Sequence, residues 1–194
     1  MSHVFQDPDL AELDRIWPLG RQLVVPDGGK VLVAGAYKGR YMDYVCSRYN
    51  PRLVIGYEPR KSAAEIAALR LSKYGDKVRV MSQGIGVHDC WVMMAGADDG
   101  FHFSGFSGEV DARLNEIGRI LSEPVDLFIC NIENFEAFLL PYLIGSDLLE
   151  KIKSLAIQFH EAIPNRRIWD KLEKYYGRPV YDDYPIWCYF VRKD

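Results

Sequence analysis

The chain has 194 residues, 48% hydrophobic and 26% charged, enough apolar content for one globular domain with a sizeable core. Its formal net charge of −3 gives no basic excess and argues against a protein that lives on phosphate backbones. The four cysteines, Cys46, Cys90, Cys130 and Cys188, are scattered without a CxxC, which excludes a clustered zinc site and fits a reducing compartment.

The first stretch, MSHVFQDPDLAELDRIW, has acids and no long apolar run. It reads as neither a signal peptide nor a membrane span, so the protein is expected to be cytoplasmic. Asp9 to Trp17 fits a short helix stopped by Pro18, within a helical extension over residues 1–29 that leads a single domain. Val31 to Gly35 is a buried strand, and Arg40 to Tyr49 a helix ended by Asn50-Pro51. Leu53 to Tyr57 is a second strand, Lys61 to Tyr74 an alanine- and leucine-rich helix, and Val78 to Met81 a third strand. Cys90 to Ala95 and Gly100 to Phe106 flank ADDG as a hairpin. Val110 to Leu121 is expected as an amphipathic helix, with Val110, Leu114, Ile117 and Leu121 on one face. Val125 to Ile129 is the fourth core strand. Glu136 to Ile152 is mostly helical, interrupted near Pro141 and Gly145. Ser154 to Phe159 is the fifth strand and Pro164 to Tyr176 a helix. Val180-Tyr181 and Ile186 to Arg192 close the chain as a hairpin around Asp182-Asp183.

Alternating strands and helices give a parallel sheet with helices on both faces. The last two strands have no crossover between them and must pair antiparallel. The expected fold is therefore α/β: a three-layer sandwich around a mostly parallel seven-stranded sheet with a C-terminal antiparallel hairpin. That is the layout of class I methyltransferases.

In such a sheet, ligands bind beyond the carboxyl ends of the strands. After the first strand comes GAYKG, whose Gly35 and Gly39 let the backbone approach a ligand ahead of a helix N-terminus. Glu58 follows Gly35 by 23 residues, at the end of the next strand, where a carboxylate can accept from both ribose hydroxyls. This pairing serves dinucleotides and S-adenosylmethionine alike. The loop lacks a full GxGxxG and the chain ends in a hairpin rather than a second parallel half, which favours S-adenosylmethionine over NAD. The fourth strand ends in Asn131-Ile132-Glu133 and the fifth in His160-Glu161. His160, beside a carboxylate at the end of a central strand, is the first candidate for a general base. Glu133 is the second; it could also orient an acceptor or bind an ammonium. Glu136 equally suits a helix start. His88 and His102 lie near the hairpin insertion, and Trp169 and Tyr184 are the aromatic candidates for an acceptor site.

Over Lys30 to Arg192 the chain resembles the FkbM family of S-adenosylmethionine-dependent methyltransferases. VAGAYKG corresponds to the family's DVGAxxG, and Tyr57 to Pro59 (YEP) to FEP. SQGIG corresponds to an Asn-x-Ala-x-Gly run, Asp126 to Glu136 (DLFICNIENFE) to DLLKIDIEGxE, and Gln158 to His160 (QFH) to EFH. The resemblance implies that Gly35, Ala36, Tyr37 and Gly39 lie against the methionine part of the cofactor. It implies that Glu58 holds the ribose and that Gln83, Gly84 and Ile85 border the adenine. Asn131 and Glu133 would line the wall facing the methyl. It implies an O-methyltransferase of a small hydroxylated molecule, a sugar or glycan-linked intermediate, with S-adenosylhomocysteine as product. The charge argues against a nucleic-acid partner, no stretch is long enough to span a membrane, and no metal-ligand cluster is apparent. The chain departs from the pattern at Val33, Cys130, Asn131, Asn134 and Gln158, where the family has Asp, Lys, Asp, Gly and Glu. Two other readings stay open: a binding protein on this fold that has lost turnover, favoured by Val33 and Asn131, and a crevice for NAD or another nucleotide.

Overall fold

The computed structural model describes residues 17, 20, 22–96, 102–105, 110–160, 166–181 and 186–192. Its frame is a seven-stranded sheet of β1 (Lys30–Ala34), β2 (Leu53–Tyr57), β3 (Val78–Met81), β8 (Val125–Cys130), β9 (Ile152–Phe159), β10 (Val180–Tyr181) and β11 (Ile186–Val191). The order is β10-β11-β9-β8-β1-β2-β3. All pairs from β9 to β3 are parallel, while β11 runs antiparallel to both β9 and β10. This is the mostly parallel sheet with a C-terminal hairpin that the element pattern predicts.

The central strands read as unbroken apolar runs because both faces are covered. Leu32, Ala34, Phe128, Cys130, Leu155 and Ile157 point to one side, against α4 (Glu136–Gly145) and α5 (Arg166–Tyr176). Val31, Val33, Leu127, Ile129 and Ala156 point to the other, against α1 (Arg40–Arg48) and α2 (Lys61–Leu71). Trp17, Leu23 and Val25 join this second layer, so residues ahead of β1 contribute to the core. The rest of the expected Asp9–Trp17 helix lies outside the described residues, as do Tyr184 and the turns at ADDG and Asp182-Asp183.

Between β3 and β8 the chain builds a second sheet, ordered β4-β7-β5-β6, from β4 (Gly84–Gly86), β5 (Cys90–Ala95), β6 (His102–Gly105) and β7 (Val110–Glu116). Here one expectation fails. The segment Val110 to Leu121 is a strand through Glu116, and only α3 (Ile117–Ile120) is helical. Ala112 and Leu114 are buried while Arg113 between them is exposed, a period of two. Pairing with β5 on one side and β4 on the other supplies the backbone hydrogen bonds. That pairing overrides the helix preference of Ala, Arg, Leu and Glu. Ile117 and Leu121 do face the core, from the helix and just beyond it.

Candidate functional site

The carboxyl ends of β1, β2, β3, β8 and β9 lie in register along one edge, with Ala34 beside both Tyr57 and Cys130, Tyr57 beside Met81, and Cys130 beside Ile157. The residues that follow these ends are brought together by strand pairing alone. Backbone bonds close the edge: the N–H groups of Gly35 and Ala36 donate to Tyr57 O at 3.0 Å, and Asn131 N–H donates to Ala34 O at 3.0 Å.

The glycines of the first loop have packing reasons. Gly35 has φ +76°, and a Cβ there would lie 1.7 Å from the Asn131 carbonyl oxygen. Gly39 has φ +83°, and a Cβ would meet Leu71 at 3.0 Å and Ala67 at 3.2 Å, where α1 starts against α2. Only glycine suits both, whatever the loop binds. Between them Tyr37 holds φ 45°, a cost that a non-glycine residue bears when something fixes it. Glu58 is what fixes it: its Oε2 accepts from the Tyr37 N–H at 2.7 Å and its Oε1 from the Arg60 N–H at 3.0 Å. Glu58 is buried, and desolvation raises its pKa against the opposing pull of those two N–H groups. It is a preorganised acceptor at the strand end, not a solvated charge.

Gln83, Gly84 and Ile85 separate. A Cβ on Gly84 would meet Leu114 at 2.5 Å and Pro59 at 3.4 Å, so this residue is needed for β7 packing. Ile85 is buried in the core. Gln83 instead faces an open, shallow cavity of about 310 Å³ with Tyr57, Asp89, Arg113, Asn115, Arg119 and Ile120. Its Oε1 accepts from Asn115 Nδ2 at 2.5 Å.

Past β8 the chain takes two consecutive left-handed residues, Glu133 (φ 51°) and Asn134 (φ 74°). Asn134 stands where the resembled family has glycine, and asparagine is among the residues that best tolerate this conformation. The double reversal sends Glu133 to His160, whose Nε2 lies 3.1 Å from Glu133 Oε1. The other ring nitrogen, Nδ1, is 2.9 Å from Glu136 Oε1, which also accepts from the Ile132 N–H at 3.1 Å. Glu136 is buried; the Glu133 side chain is 30% exposed. Burial of His160 opposes its protonation, but the hydrogen bonds and charges of Glu133 and Glu136 outweigh it and raise the pKa to about 9. At neutral pH His160 is an imidazolium clamped between two carboxylates. The carboxylates hold opposite nitrogens, and among the described residues no His, Cys, Asp and Glu group converges as a metal site.

Asn131 sends its Nδ2 to Tyr41 Oη at 3.2 Å, and its Oδ1 is buried without a partner. Tyr41 in turn packs against Trp17 and Trp187, with ring centroids 4.7 and 5.3 Å away. Sequence reasoning missed Tyr41, Trp17 and Trp187 as neighbours of the site. Tyr41, two residues after Gly39, was within reach of that reasoning; the tryptophans arrive only through tertiary packing. Trp169 packs on Phe159 and Phe190, and His88 lies edge-on to Tyr142. The side chain of His102 lies outside the described residues.

No family model matches this chain, and no curated protein matches it by sequence. Solved structures do match in fold. The methyltransferase FkbM from Methylobacillus flagellatus KT aligns with a TM-score of 0.62 at 17% identity, over 87% of this chain and 45% of its own. This chain therefore spans under half the length of that relative. TrmK of M. capricolum, solved with S-adenosylhomocysteine, aligns with a TM-score of 0.54 at 11% identity, over 93% of this chain and 68% of its own. An rRNA methylase from Streptococcus thermophilus aligns at 0.55 and 11% identity over 100% of both chains. The fold is that of class I methyltransferases. Among the described residues no helix is long and apolar enough to cross a membrane.

Proposed function

We propose that this chain is an S-adenosylmethionine-dependent O-methyltransferase acting on a hydroxyl of a small molecule, with a sugar or glycan-linked intermediate as the acceptor class. The observation that carries the proposal is the polar set at one end of the sheet: Glu58 follows β2, Asn131 and Glu133 follow β8, and His160 follows β9, parallel strands ranged around β1. The acceptor class rests on the resemblance to the FkbM family. Several structural neighbours bear RNA or rRNA in their names, which favours an RNA acceptor, but a net charge of −3 is a poor match to a polyanion.

The residues fit the cofactor on two counts. Each Glu58 oxygen accepts one backbone N–H and keeps capacity for a ribose hydroxyl. Asn131 Oδ1 is a buried acceptor awaiting a donor. Gly35, Ala36, Tyr37 and Gly39 would wrap the methionine part. Gln83 would meet the adenine with its side chain, and Gly84 and Ile85 with their backbone. When bound, the cofactor supplies a methyl group activated by a sulfonium.

The protein then has to position the hydroxyl and take its proton. The sequence puts His160 first for that task. With its pKa raised to about 9 and both nitrogens engaged, it holds no free lone pair at neutral pH. The task would fall to Glu133, the more exposed carboxylate, which would take the hydroxyl proton of the acceptor. His160 is then a positioning residue, held by Glu136, that fixes the Glu133 carboxylate. A second reading, binding without turnover, is favoured by that same clamp and by the neutral Asn131.

Calorimetric titration tests the reading. S-adenosylmethionine and S-adenosylhomocysteine are expected to bind, and Glu58→Gln to weaken both by about 10- to 100-fold. Absence of binding at millimolar ligand overturns it.

A further inference from the structure

The cavity of about 310 Å³ beside Gln83 is separate from the crevice of Glu58. Glu58 turns both oxygens to the Tyr37 and Arg60 N–H groups. Tyr57, one residue earlier, packs against the core layer of α4 and α5 and lines the cavity with Ile120. Side chains alternate along β7 as well. Leu114 packs at Gly84 beside Pro59, while its neighbours Arg113 and Asn115 line the cavity. Most polar groups on the wall satisfy one another. Gln83 and Asn115 are hydrogen-bonded. Asp89 spends Oδ1 on the Glu116 N–H at 2.8 Å and Oδ2 on Arg119, which also lies 3.6 Å from Glu116 Oε2. Two groups are left over: the Arg113 guanidinium and the Tyr57 hydroxyl have no partner among the described residues. Trp91 stands directly opposite Arg113 in the β5–β7 register, so the two side chains share a face. Trp91 is 71% exposed and makes no ring contact among the described residues.

We infer that this face is a binding site for a nucleoside phosphate, with the base stacked on Trp91 and the phosphate held by Arg113. A guanidinium forks onto two phosphate oxygens, and an indole stacks on any base. An inorganic anion would leave the indole bare, and an uncharged ring would leave the guanidinium unanswered. Opposite side chains on such a strand pair start about 5 Å apart at Cβ, and the ribose of a nucleotide bridges a span of that order. Tyr57 donates to a further phosphate oxygen from inside the cavity. Asp89 does not repel the phosphate, because Arg119 neutralises it. The cavity has the size of a small-molecule site, not of a strand-long groove, and the chain carries a net charge of −3. The ligand is therefore a single nucleotide, free or as the carrier of a sugar, and not a polynucleotide. The site stands apart from the cofactor reading: Trp91, Arg113 and Tyr57 have no part in holding S-adenosylmethionine.

Calorimetry with UMP, AMP, uridine diphosphate glucose, ribose 5-phosphate and a short single-stranded RNA tests the site, with and without saturating S-adenosylmethionine. Both nucleotides are expected to bind in either condition. Arg113→Gln and Trp91→Ala should each weaken them about tenfold or more, while melting temperature and S-adenosylmethionine affinity stay unchanged. Ribose 5-phosphate should bind more weakly and lose affinity in Arg113→Gln alone. UMP should quench tryptophan fluorescence, and Trp91→Ala should abolish the quenching. Tighter binding of uridine diphosphate glucose than of UMP assigns a sugar carrier; equal binding assigns a free nucleotide. No binding at millimolar nucleotide overturns the inference, as does binding that both variants leave intact. Nucleotide that S-adenosylmethionine displaces and Glu58→Gln loses would lie in the cofactor crevice, which also overturns it. RNA bound far more tightly than UMP overturns the single-nucleotide ligand. If UMP binds and S-adenosylmethionine does not, the cofactor reading fails and this site stands.

Discussion

The turn after β1 and the turn after β8 sit side by side on the same sheet edge, yet they are built on opposite terms. After β1, two of the unusual residues are glycines, each explained by an atom it must avoid: the Asn131 carbonyl for Gly35, Leu71 and Ala67 for Gly39; the third, Tyr37 at φ 45°, is held by the buried Glu58. After β8, the unusual residues are Glu133 and Asn134, non-glycine residues at positive φ, followed by a buried Glu136 and a clamped His160. A glycine loop of this kind reports the fold, and a strained polar cluster reports a site, because strain and buried charge persist where something beyond packing selects them.

The comparison can be broken in four ways. The largest effect is expected at Gly35→Ala, where both the positive φ and the 1.7 Å approach oppose a side chain. A loss above about 4 kcal/mol, or failure to fold, should appear in denaturant melts. A mild loss there would mean that the loop is free to move and that its glycine is not dictated by packing.

Next comes Glu136→Leu. It strands the Ile132 N–H and His160 Nδ1 in a buried position and is expected to cost about 3 kcal/mol by the same melts. Third is a pH dependence. His160 is raised from 6.5 to about 9, so its stabilisation is complete below about pH 6.5 and disappears as pH rises through about 9. Wild type should lose about 2 kcal/mol over that window, a figure reduced to allow for partial exposure, and His160→Gln should flatten the slope. Smallest is Asn134→Gly, which relieves a left-handed residue and should stabilise by up to about 1 kcal/mol, while Asn134→Ala should destabilise by a similar amount. A destabilised Asn134→Gly would show that the asparagine side chain, not its backbone tolerance, matters.

The legible parts of the sequence were those where local pattern and tertiary role coincide. Val31 to Ala34 and Leu127 to Cys130 are covered on both faces, so their apolar runs state their burial directly. Glu58, Glu133 and His160 could be placed because strand ends fix position regardless of side-chain detail. The strand Val110–Glu116 was illegible because Val110, Leu114, Ile117 and Leu121 satisfy a helical spacing while Val110, Ala112 and Leu114 satisfy an alternating one, and β5 decides between them. The protonation of His160 was illegible too. A histidine beside an acid suggests a base, but two carboxylates on opposite nitrogens make a stable cation, and only the reversal at Glu133 and Asn134 brings the second one in. The pairing of Trp17 with Tyr41 and Trp187 joins opposite ends of the chain and leaves no local trace.

The central claim is that the cluster after β8 and β9 carries out methyl transfer while Glu58 only holds the cofactor. It is tested most directly by following labelled methyl from S-adenosylmethionine into a panel of sugars and sugar conjugates, with an RNA transcript alongside. Wild type should label a hydroxylated small molecule. Glu133→Gln should lower kcat about 100- to 10,000-fold with cofactor affinity nearly unchanged. Full turnover by Glu133→Gln, or label appearing only in the RNA, would contradict the account.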